Sequence, residues 1–451
     1  MLAAVLFVLG IMLLRKPATA RAGNGLAALG MAIALAFGVL AIPLHHTLMI
    51  AIVFAAAAAA GAVVARIVKM TAMPQLVALF NGMGGGAAAL VALVVMLHAT
   101  GTGGRLPALI AIPGFFTLLI GSVSFAGSLV AFAKLQEWLS GRPLLFRGQH
   151  LLNLVVLLAA LAAGLAALAG LAPAPPLAAL VGGLAVLLGF LFVLPVGGAD
   201  MPVIISFLNS LTGLAAAATG FVLSSDLLIV AGALVGASGT ILTLIMSRAM
   251  HRSLFSALFA GFGQVQAGAG RLDGAMHATS ADEVATLLAY SRRVVIVPGY
   301  GMAVARAQLE VKDLADRLIE RGVDVRFGIH PVAGRMPGHM NVLLAEANVP
   351  YDRLYEMERI NPEFARTDVV LVIGANDVTN PAARTNPGSP IYGMPVLEVD
   401  QAAAIVVLKR SMATGFAGVD NPLFLMDKTL MLFGDARESV AALVQELREA
   451  V

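Results

Sequence analysis

Nine long apolar stretches occupy residues 1–248 of this chain, and few folds can accommodate them. They lie at about 2–14, 25–43, 47–65, 74–97, 107–132, 151–171, 177–196, 201–222 and 227–247. A helix needs about 20 apolar residues to span a bilayer, and each span must satisfy its own backbone hydrogen bonds. The sequence therefore predicts a multi-pass α-helical membrane domain of nine spans. The pairs Gly82/Gly86 and Gly232/Gly236 have the spacing that permits close helix contact.

Charged residues are scarce in this half of the chain. Residues 1–248 contain ten Lys or Arg and three Asp or Glu, whereas the remainder contains nineteen and twenty-three. The basic balance therefore comes from cations that flank the spans, and it gives no reason to expect nucleic acid. Cysteine is absent, which excludes disulfides, thiolate metal sites and cysteine nucleophiles.

The basic residues between the spans predict an orientation. Arg105 falls on one side of the membrane, and ten others fall on the opposite side. Those ten are Arg15, Lys16, Arg21, Arg66, Lys69, Lys134, Arg142, Arg147, Arg248 and Arg252. Because cytoplasmic loops carry the excess of positive charge, we expect the N-terminus outside and the chain after Arg252 in the cytoplasm, at the cell inner membrane.

Few polar residues lie inside the spans. Asn81 and Asn209 are costly to bury, so they indicate either a water-lined polar path or contacts that hold helices together. Ser128 is a further polar residue in a span, and Asp200 lies at a span edge. No Lys, Arg, Asp, Glu or His lies near the centre of any span.

The second half of the chain has the pattern of a soluble domain. A glycine-rich run at 261–274 predicts a flexible linker, and we assign 1–252 to the membrane domain, 253–280 to the linker and 281–451 to the soluble domain. Strands are predicted at 294–298, 324–329, 369–373, 396–399, 404–408 and 430–433, with a short candidate at 351–355, and helices at 302–321, 338–347 and 435–449. Strands that alternate with helices predict an α/β, doubly wound parallel sheet of the Rossmann-like type.

Four segments follow the predicted strands, where such sheets bind ligands. Gly299-Tyr300-Gly301 lies between a β-branched run and a helix, which suits either a nucleotide pyrophosphate or a tight turn that needs glycine only for its geometry. An arginine-containing loop, 330–338, follows the second predicted strand, and a run of small and amide residues, 374–381, follows 369–373. The segment 412–418 predicts a mobile loop able to fold across a ligand.

A fifth segment, Lys409-Arg410-Ser411, follows the predicted strand 404–408 and bears on the choice of nucleotide. An NAD site of this type uses an acidic residue near the end of the second strand to bind the 2′-hydroxyl. Gly328, Ile329 and His330 stand there in this chain, and Asp324 comes at the start of the strand. The sequence therefore favours NADP over NAD, with the cations binding the 2′-phosphate.

Several motifs together resemble one family. They are Gly-Gly-Ala-Asp200-Met-Pro, Phe-Leu-Asn209-Ser, Pro-Gly299-Tyr-Gly301-Met-Ala-Val-Ala, His330-Pro-Val-Ala-Gly-Arg335-Met-Pro-Gly, Gly374-Ala-Asn-Asp377, and the run from Lys409 to Asn421-Pro. They are similar to motifs of the β subunit of the membrane-bound proton-translocating NAD(P) transhydrogenase, and the resemblance covers essentially the whole chain.

The resemblance implies hydride transfer between NAD(H) and NADP(H), coupled to proton translocation. This chain would bind NADP(H), in an orientation reversed from the usual Rossmann arrangement. One or two α chains would carry the NAD(H) domain and further spans, and the whole complex would form a dimer in the lipid bilayer. Asp377 matches an acidic residue that the family links to coupling and is our catalytic candidate.

The resemblance also implies a set of cofactor contacts. They are Gly299, Tyr300, Gly301, Val332, Ala333, Gly334, Arg335, Met336, Pro337, Gly374, Ala375, Asn376, Asp377, Val378, Gly393, Met394, Lys409, Arg410, Ser411, Met412, Ala413, Thr414, Gly415, Phe416, Asp435 and Ala436.

Two positions depart from the family pattern. Many members carry a titratable histidine in the fourth span, where this chain has Asn81, and many carry a tyrosine in the lid loop, where it has Phe416. The proton path in this chain would comprise Asn81, Ser128, Asp200 and Asn209. Because an amide does not titrate near neutral pH, we expect a relay histidine in a span of the partner. The alternative function is a channel or transporter gated by a regulatory dinucleotide-binding domain, although a Thr-Val-Gly-Tyr-Gly filter is absent.

Overall fold

Helices fill the N-terminal half of the computed structural model. The structure describes residues 2–14, 17–41, 47–68, 72–100, 107–136, 138–139, 144, 146–196, 201–249, 275–335, 338–389, 391–415 and 417–449. Within these ranges, helices α1 to α9 are Leu2–Leu14, Pro17–Ala41, Thr47–Ile67, Met73–Thr100, Ala108–Leu135, Gln149–Leu168, Ala174–Val193, Met201–Val222 and Asp226–Ala249. Helices α2 to α9 are long and apolar enough to cross a membrane, whereas α1 has only 13 residues. The predicted multi-pass membrane domain is confirmed, with eight or nine apolar helices.

Glycines set the spacing between the helices of this domain. A Cβ built on Gly85 of α4 would lie 2.9 Å from the backbone oxygen of Gly121 in α5, so these two helices touch through their backbones. A Cβ on Gly232 of α9 would lie 2.3 Å from the nitrogen of Ala217 in α8. Lipid provides no hydrophobic drive for helix association, so packing depends on close contacts of this kind.

The C-terminal half forms a sheet of seven parallel strands. Strands β1 to β7 are His277–Ala278, Arg293–Pro298, Asp324–Ile329, Leu354–Glu356, Val369–Ile373, Ala404–Lys409 and Thr429–Phe433. Helices α10 to α16 are Ala281–Ala289, Tyr300–Ala305, Gln308–Glu320, His339–Glu346, Met357–Ile360, Ala382–Thr385 and Ala436–Glu449. The strand order is β1-β7-β6-β5-β2-β3-β4, so the direction of winding reverses between β2 and β5. The predicted doubly wound α/β domain is confirmed.

Both faces of the sheet are covered. Alternate residues of β2 point to opposite faces: Val294 and Ile296 belong to one buried cluster with α10, α12, α13 and α16, and Val295 and Val297 belong to the other. Such burial on both faces explains why the central strands are continuous apolar runs. The crevice at the carboxyl ends of β2 and β5, where the winding reverses, is the position where sheets of this type bind ligands.

Three predicted elements of this domain were wrong in detail. The run 396–399 is not a strand: Leu397 lies in the connection between β5 and β6, where its N–H donates to the backbone oxygen of Val378. The predicted helix 302–321 is two helices, because Arg306 adopts a left-handed conformation with φ of 54° between α11 and α12. At 351–355 only the last two residues belong to β4, after a 3₁₀ turn at Tyr351–Arg353.

Most of the predicted linker lies outside the described residues, which resume at 275. Strand β1 lies inside the range assigned to the linker and pairs in parallel with β7. The domain boundaries at 252 and 280 stay predictions.

Candidate functional site

Two glycine turns meet at the switch point of the sheet. Gly299 N–H donates to the oxygen of Ile373 at 2.8 Å, and Gly301 N–H donates to the oxygen of Gly374 at 2.9 Å. A Cβ built on Gly299 would lie 2.3 Å from the nitrogen of Ala375. A Cβ on Gly374, whose φ is +64°, would lie 2.4 Å from the Cα of Gly301. Side chains at these positions would force the two turns apart.

This geometry gives the glycines a packing role. The N–H of Gly301 is already bonded to the neighbouring turn, and α11 has only six residues before it ends. The structure therefore accounts for the glycine motif as a tight turn, while its binding of a pyrophosphate stays a prediction.

The loop after β3 is held by two buried histidines. The N–H of Val332 donates to Nδ1 of His330 at 3.2 Å, so the other ring nitrogen, Nε2, carries the proton that is donated to the oxygen of Pro395 at 2.8 Å. Nδ1 of His339 accepts from the N–H of Arg335 at 3.0 Å. Burial lowers the pKa of His330 to about 4, and burial together with the nearby Arg335 lowers the pKa of His339 to about 4. Both rings are neutral at physiological pH, and each fixes a backbone group of the loop.

Arg335 is the cation of this loop. Its guanidinium lies over the ring of Tyr300, 4.5 Å from the centroid, so the loop after β3 contacts the turn after β2. Gly334, with φ of +105°, allows this path: a Cβ there would lie 2.4 Å from Nδ1 of His339. Arg335 and Tyr300, two predicted site residues that follow different strands, are thus brought together at the crevice.

The turn after β5 is fixed by an asparagine further along the chain. Nδ2 of Asn421 donates to the backbone oxygen and to Oδ1 of Asn376, both at 3.1 Å. Oδ1 of Asn421 accepts from the N–H of Leu423 at 3.0 Å. Asn421 is 5% exposed, so this bridge is shielded from water.

Asp377 contacts the lid loop, which we define as residues 412–418. Its Oδ2 accepts from the N–H of Ala417 at 3.0 Å. Gly415 approaches the same carboxylate so closely that a Cβ would lie 2.4 Å from Oδ1 of Asp377. Lys409 donates from Nζ to the backbone oxygen of Ala413, at the other end of the loop. The described residues of the lid loop are therefore held against Asp377 and Lys409.

Lys409 is half-buried where β6 ends, whereas Arg410 is exposed. Burial lowers the pKa of Lys409, and the carboxylates of Asp377 and Asp420 raise it by less. The ammonium also lies 4.9 Å from the centroid of the Phe424 ring. Two cations at this edge can bind an anionic phosphate.

The remaining cofactor candidates lie at the same edge of the sheet. Gly393 donates its N–H to the oxygen of Ala383 at 2.8 Å, and Met394 packs in a small cluster that Ala417 of the lid loop contacts. Oδ1 of Asp435 accepts from the N–H of Arg437 at 3.0 Å at the start of α16. Met336, Pro337 and Phe416 lie outside the described residues.

Asp324 is at the opposite edge of the sheet. It pairs with Arg293 at 3.1 Å and with Arg326 at 2.9 Å. As predicted from the sequence, β3 ends without a carboxylate that could bind a 2′-hydroxyl.

In the membrane domain the structure joins Asn81 to Ser128. Nδ2 of Asn81 donates to the hydroxyl of Ser128 at 2.8 Å and approaches that of Ser124 at 3.3 Å. Asn209 is half-buried and has no side-chain hydrogen bond within the described ranges, and Asp200 lies outside them. Of the four predicted path residues, two are therefore in contact.

Sequence reasoning missed several residues that position this machinery. His330, His339, Asn421, Ser124 and Thr212 each hold a predicted residue or its backbone. The two histidines flank the arginine-containing loop, and this proximity was the signal that could have revealed them. Ser124 had only its place in a span to mark it.

Comparisons with known proteins extend over both halves of the chain. The family described as the NAD(P) transhydrogenase beta subunit matches residues 1–446. The chain is 48% identical to an NAD(P) transhydrogenase subunit beta of Rhodospirillum rubrum over 453 residues, covering 99% of this chain and 97% of the relative. A second NAD(P) transhydrogenase subunit beta, from a strain of that species, is similar to the same extent.

Proposed function

Since the chain belongs to the family of NAD(P) transhydrogenase β subunits, we infer that it acts in hydride transfer between NAD(H) and NADP(H) coupled to proton translocation. It is a multi-pass membrane protein and the subunit that binds NADP(H). An α subunit is its partner. When bound, the nicotinamide supplies the hydride chemistry, so the protein must position and enclose it without an acid–base dyad.

The observation that carries the cofactor assignment is the crevice between β2 and β5. The two glycine turns leave backbone atoms only at its floor. Lys409 and Arg410 stand at the end of β6, and no carboxylate ends β3. Because this set of donors fits a phosphate on the 2′ position, we assign Lys409, Arg410 and Ser411 to that phosphate.

The other assignments follow from the same geometry. The side chain of Arg335 and the turn Gly374–Val378 border the crevice, and the lid loop covers it above Asp377. Asp377 would act in coupling because it holds the lid loop through the N–H of Ala417. A change in the charge or contacts of Asp377 would then alter how the lid loop holds the nucleotide.

We assign the soluble domain to the cytoplasmic side and the N-terminus to the outside. The excess of basic residues in the loops on one side supports this orientation. We also infer that the whole complex is a dimer in the inner membrane. Reporter fusions after Arg252 that are active only outside the cytoplasm would contradict the orientation.

The function is tested in vesicles that contain the full complex. Supplying NADH and NADP⁺ together should produce NAD⁺ and NADPH. Hydride transfer is followed by absorbance when one of the two nucleotides is replaced by an analogue. The number of protons moved should be proportional to the number of hydrides transferred. Proton flux that continues without nucleotide turnover would favour the gated channel or transporter. Omission of either nucleotide is the control.

A further inference from the structure

Three polar side chains lie together at the end of the membrane domain that contacts the soluble domain. Lys134 directly precedes Leu135, the last residue of α5, whose backbone oxygen accepts from Arg335. Gln149 is the first residue of α6, and Asn153 lies on the same face of that helix, four residues or about 6 Å deeper. Lys134 and Gln149 are 3% and 1% exposed. We call Lys134, Gln149 and Asn153 the junction cluster.

Lys134 binds the end of α7. Its Nζ donates to the backbone oxygens of Leu194 and Val196, the second at 2.8 Å. The last carbonyls of a helix have no partner within the helix, and a cation is favourable beside them. An ammonium has three protons to donate. These two carbonyls are its acceptors among the described residues, so the third proton still needs one.

Gln149 binds the same helix one turn earlier. Its Nε2 donates to the backbone oxygen of Leu191 at 3.0 Å. Because a carbonyl oxygen can only accept, this bond fixes which end of the amide faces α7. The other end, Oε1, is buried and has no hydrogen-bond partner within the described ranges. Leu191 and Leu194 are three residues apart, so Lys134 and Gln149 reach neighbouring turns of α7.

Asn153 presents a second oxygen of this kind. Its Oδ1 is also buried and has no partner in the part of the chain that the structure describes. A buried acceptor without a donor costs free energy. Buried hydroxyls of this domain do have partners: Ser206 donates to the oxygen of Gly239 at 3.2 Å, and Thr219 to that of Ala215 at 2.8 Å. Two unpaired oxygens on successive turns of one helix face therefore indicate a shared donor.

Close helix packing limits the size of that donor. A Cβ built on Gly189 of α7 would lie 2.5 Å from the backbone oxygen of Val123 in α5. A Cβ built on Gly127 of α5 would lie 3.0 Å from Cγ2 of Val193, the last residue of α7. Because α5 and α7 are already in backbone contact near the cluster, they cannot approach further to pair these atoms. The missing partner is therefore a small molecule.

The unpaired atoms specify the chemistry of this molecule. It must donate to two amide oxygens and accept from an ammonium. A metal cation cannot accept a hydrogen bond, and the positive charge of Lys134 repels it. A simple anion cannot donate one. Water does both, and a buried water typically makes about three hydrogen bonds.

We propose that the junction cluster is a water-binding site. One ordered water accepts from Nζ of Lys134 and donates to Oε1 of Gln149 and Oδ1 of Asn153. It completes the hydrogen bonds of the ammonium inside the membrane domain, and it joins α5 and α6 at the end of α7. The site does not depend on hydride transfer or proton movement, so it can be tested whether or not the proposed function holds.

The direct test is a density map of the full complex at a resolution that shows ordered water. We expect a peak within hydrogen-bond distance of Nζ of Lys134, Oε1 of Gln149 and Oδ1 of Asn153. A map that shows water elsewhere in the membrane domain but none among these three atoms would overturn the proposal. A side chain of the α subunit in that position would overturn it as well.

Thermal unfolding of the complex gives an independent test. Asn153→Leu replaces the amide by an apolar group of similar size. If Oδ1 were simply unpaired, this change would leave the melting temperature unchanged or raise it. With water bound we expect a fall of roughly 2 °C, because the ammonium and Gln149 lose their shared partner. An unchanged or raised melting temperature would contradict the proposal.

A double-mutant cycle tests whether one water serves two helices. Lys134→Met should also lower the melting temperature, and its effect should not add to that of Asn153→Leu, because both changes remove the same water. Ser206→Ala on α8 is the control partner for Lys134→Met, and those two effects should add. Additive losses for Lys134 and Asn153 would overturn the proposal. If Lys134→Met does not assemble, the result for Asn153→Leu alone decides.

Discussion

The guanidinium of Arg335 donates a hydrogen bond to the backbone oxygen of Leu135, with 2.8 Å between Nη1 and that oxygen. Leu135 is the last residue of α5, the helix that carries Ser124 and Ser128. Its oxygen also accepts from Nε2 of Gln75 at 3.2 Å. Because the same guanidinium stacks on Tyr300, one side chain contacts both the crevice of the soluble domain and a membrane helix.

Arg335→Lys should impair coupling. Lysine keeps the charge but lacks the planar fork that both stacks on the Tyr300 ring and reaches Leu135. We expect proton uptake in vesicles to fall about 10-fold, since a hydrogen bond from a charged group contributes about 1.5–3 kcal/mol. Arg359→Lys is the control, because Arg359 also stacks on a tyrosine, Tyr355, at 5.0 Å. Equal losses in both variants would make the effect one of ring stacking alone.

Lys409→Met and Arg410→Met should each weaken NADP binding roughly 10- to 100-fold, because each removes a charge-assisted hydrogen bond to the 2′-phosphate. Binding of NAD should hardly change. Calorimetry on this chain, purified without the α subunit that we expect to carry the NAD(H) domain, measures both affinities. Lys428→Met is the matched control: Nζ of Lys428 donates to the oxygen of Ala402 at 2.8 Å, near the start of β6. If both nucleotides weaken equally, these cations serve the fold.

Gly415→Ala should loosen the lid loop. The added Cβ would lie 2.4 Å from Oδ1 of Asp377, so the loop must move away from the carboxylate. We expect NADP to dissociate about 10-fold faster, measured by stopped-flow displacement, as the loss of about 1.4 kcal/mol of lid contacts implies. Gly388→Ala, in an exposed turn where the nearest atom to an added Cβ is 3.4 Å away, should leave the rate unchanged.

The soluble domain should lose stability as the pH falls from about 6.5 towards 4. His330 and His339 are held neutral in the fold with a pKa of about 4, whereas the unfolded chain protonates them near 6.5. The unfolded state therefore binds protons that the folded state does not, which lowers the free energy of unfolding by about 1.4 kcal/mol per pH unit for each histidine. Below about 4 the effect levels off.

His339→Asn isolates one of these contributions. The asparagine oxygen can accept the N–H of Arg335 but does not titrate, so the slope in this pH range should fall by about half. Scanning calorimetry of the complex between pH 7 and pH 4 gives the slope. His277→Asn, at an exposed histidine of β1, should leave it unchanged.

The titratable proton relay should come from a span of the α subunit beside Asn81. Asn81 cannot take up a proton at neutral pH, and its Oδ1 lacks a donor among the described residues. A histidine has a suitable pKa near 6.5. Neutralising that residue should abolish proton uptake in vesicles while NADP remains bound, and Asn209→Leu should impair uptake by drying the path. Normal pumping by a complex whose α spans contain no titratable residue would return attention to Asp200.

The sequence predicted the parts of the fold that depend on local patterns. The predicted strands 294–298, 369–373 and 404–408 are the central strands of the sheet, because burial on both faces demands such apolar runs. The segments after them then had to meet at one edge. The sequence alone therefore predicts that Lys409 and Gly374 lie near each other.

What could not be predicted depends on contacts between distant segments. The helix breaks at Arg306, which has a left-handed φ of 54°, although no proline or glycine marks that position in the sequence. The run 396–399 has the apolar character of a strand, yet Leu397 and Val399 are buried as part of a loop. The pairing of Ser124 with Thr212 depends on the rotation of three helices, which single-chain periodicity does not specify.

The back-to-back glycine turns carry a lesson for protein engineering. The two turns line the floor of the crevice with backbone atoms, so the shape of that floor is independent of which nucleotide the crevice accepts. The groups that would distinguish a 2′-phosphate from a 2′-hydroxyl sit on a different strand, at Lys409 and Arg410. A redesign toward NAD can therefore leave both turns untouched and make its changes at two places, the end of β6 and the segment after β3, where a carboxylate would be introduced.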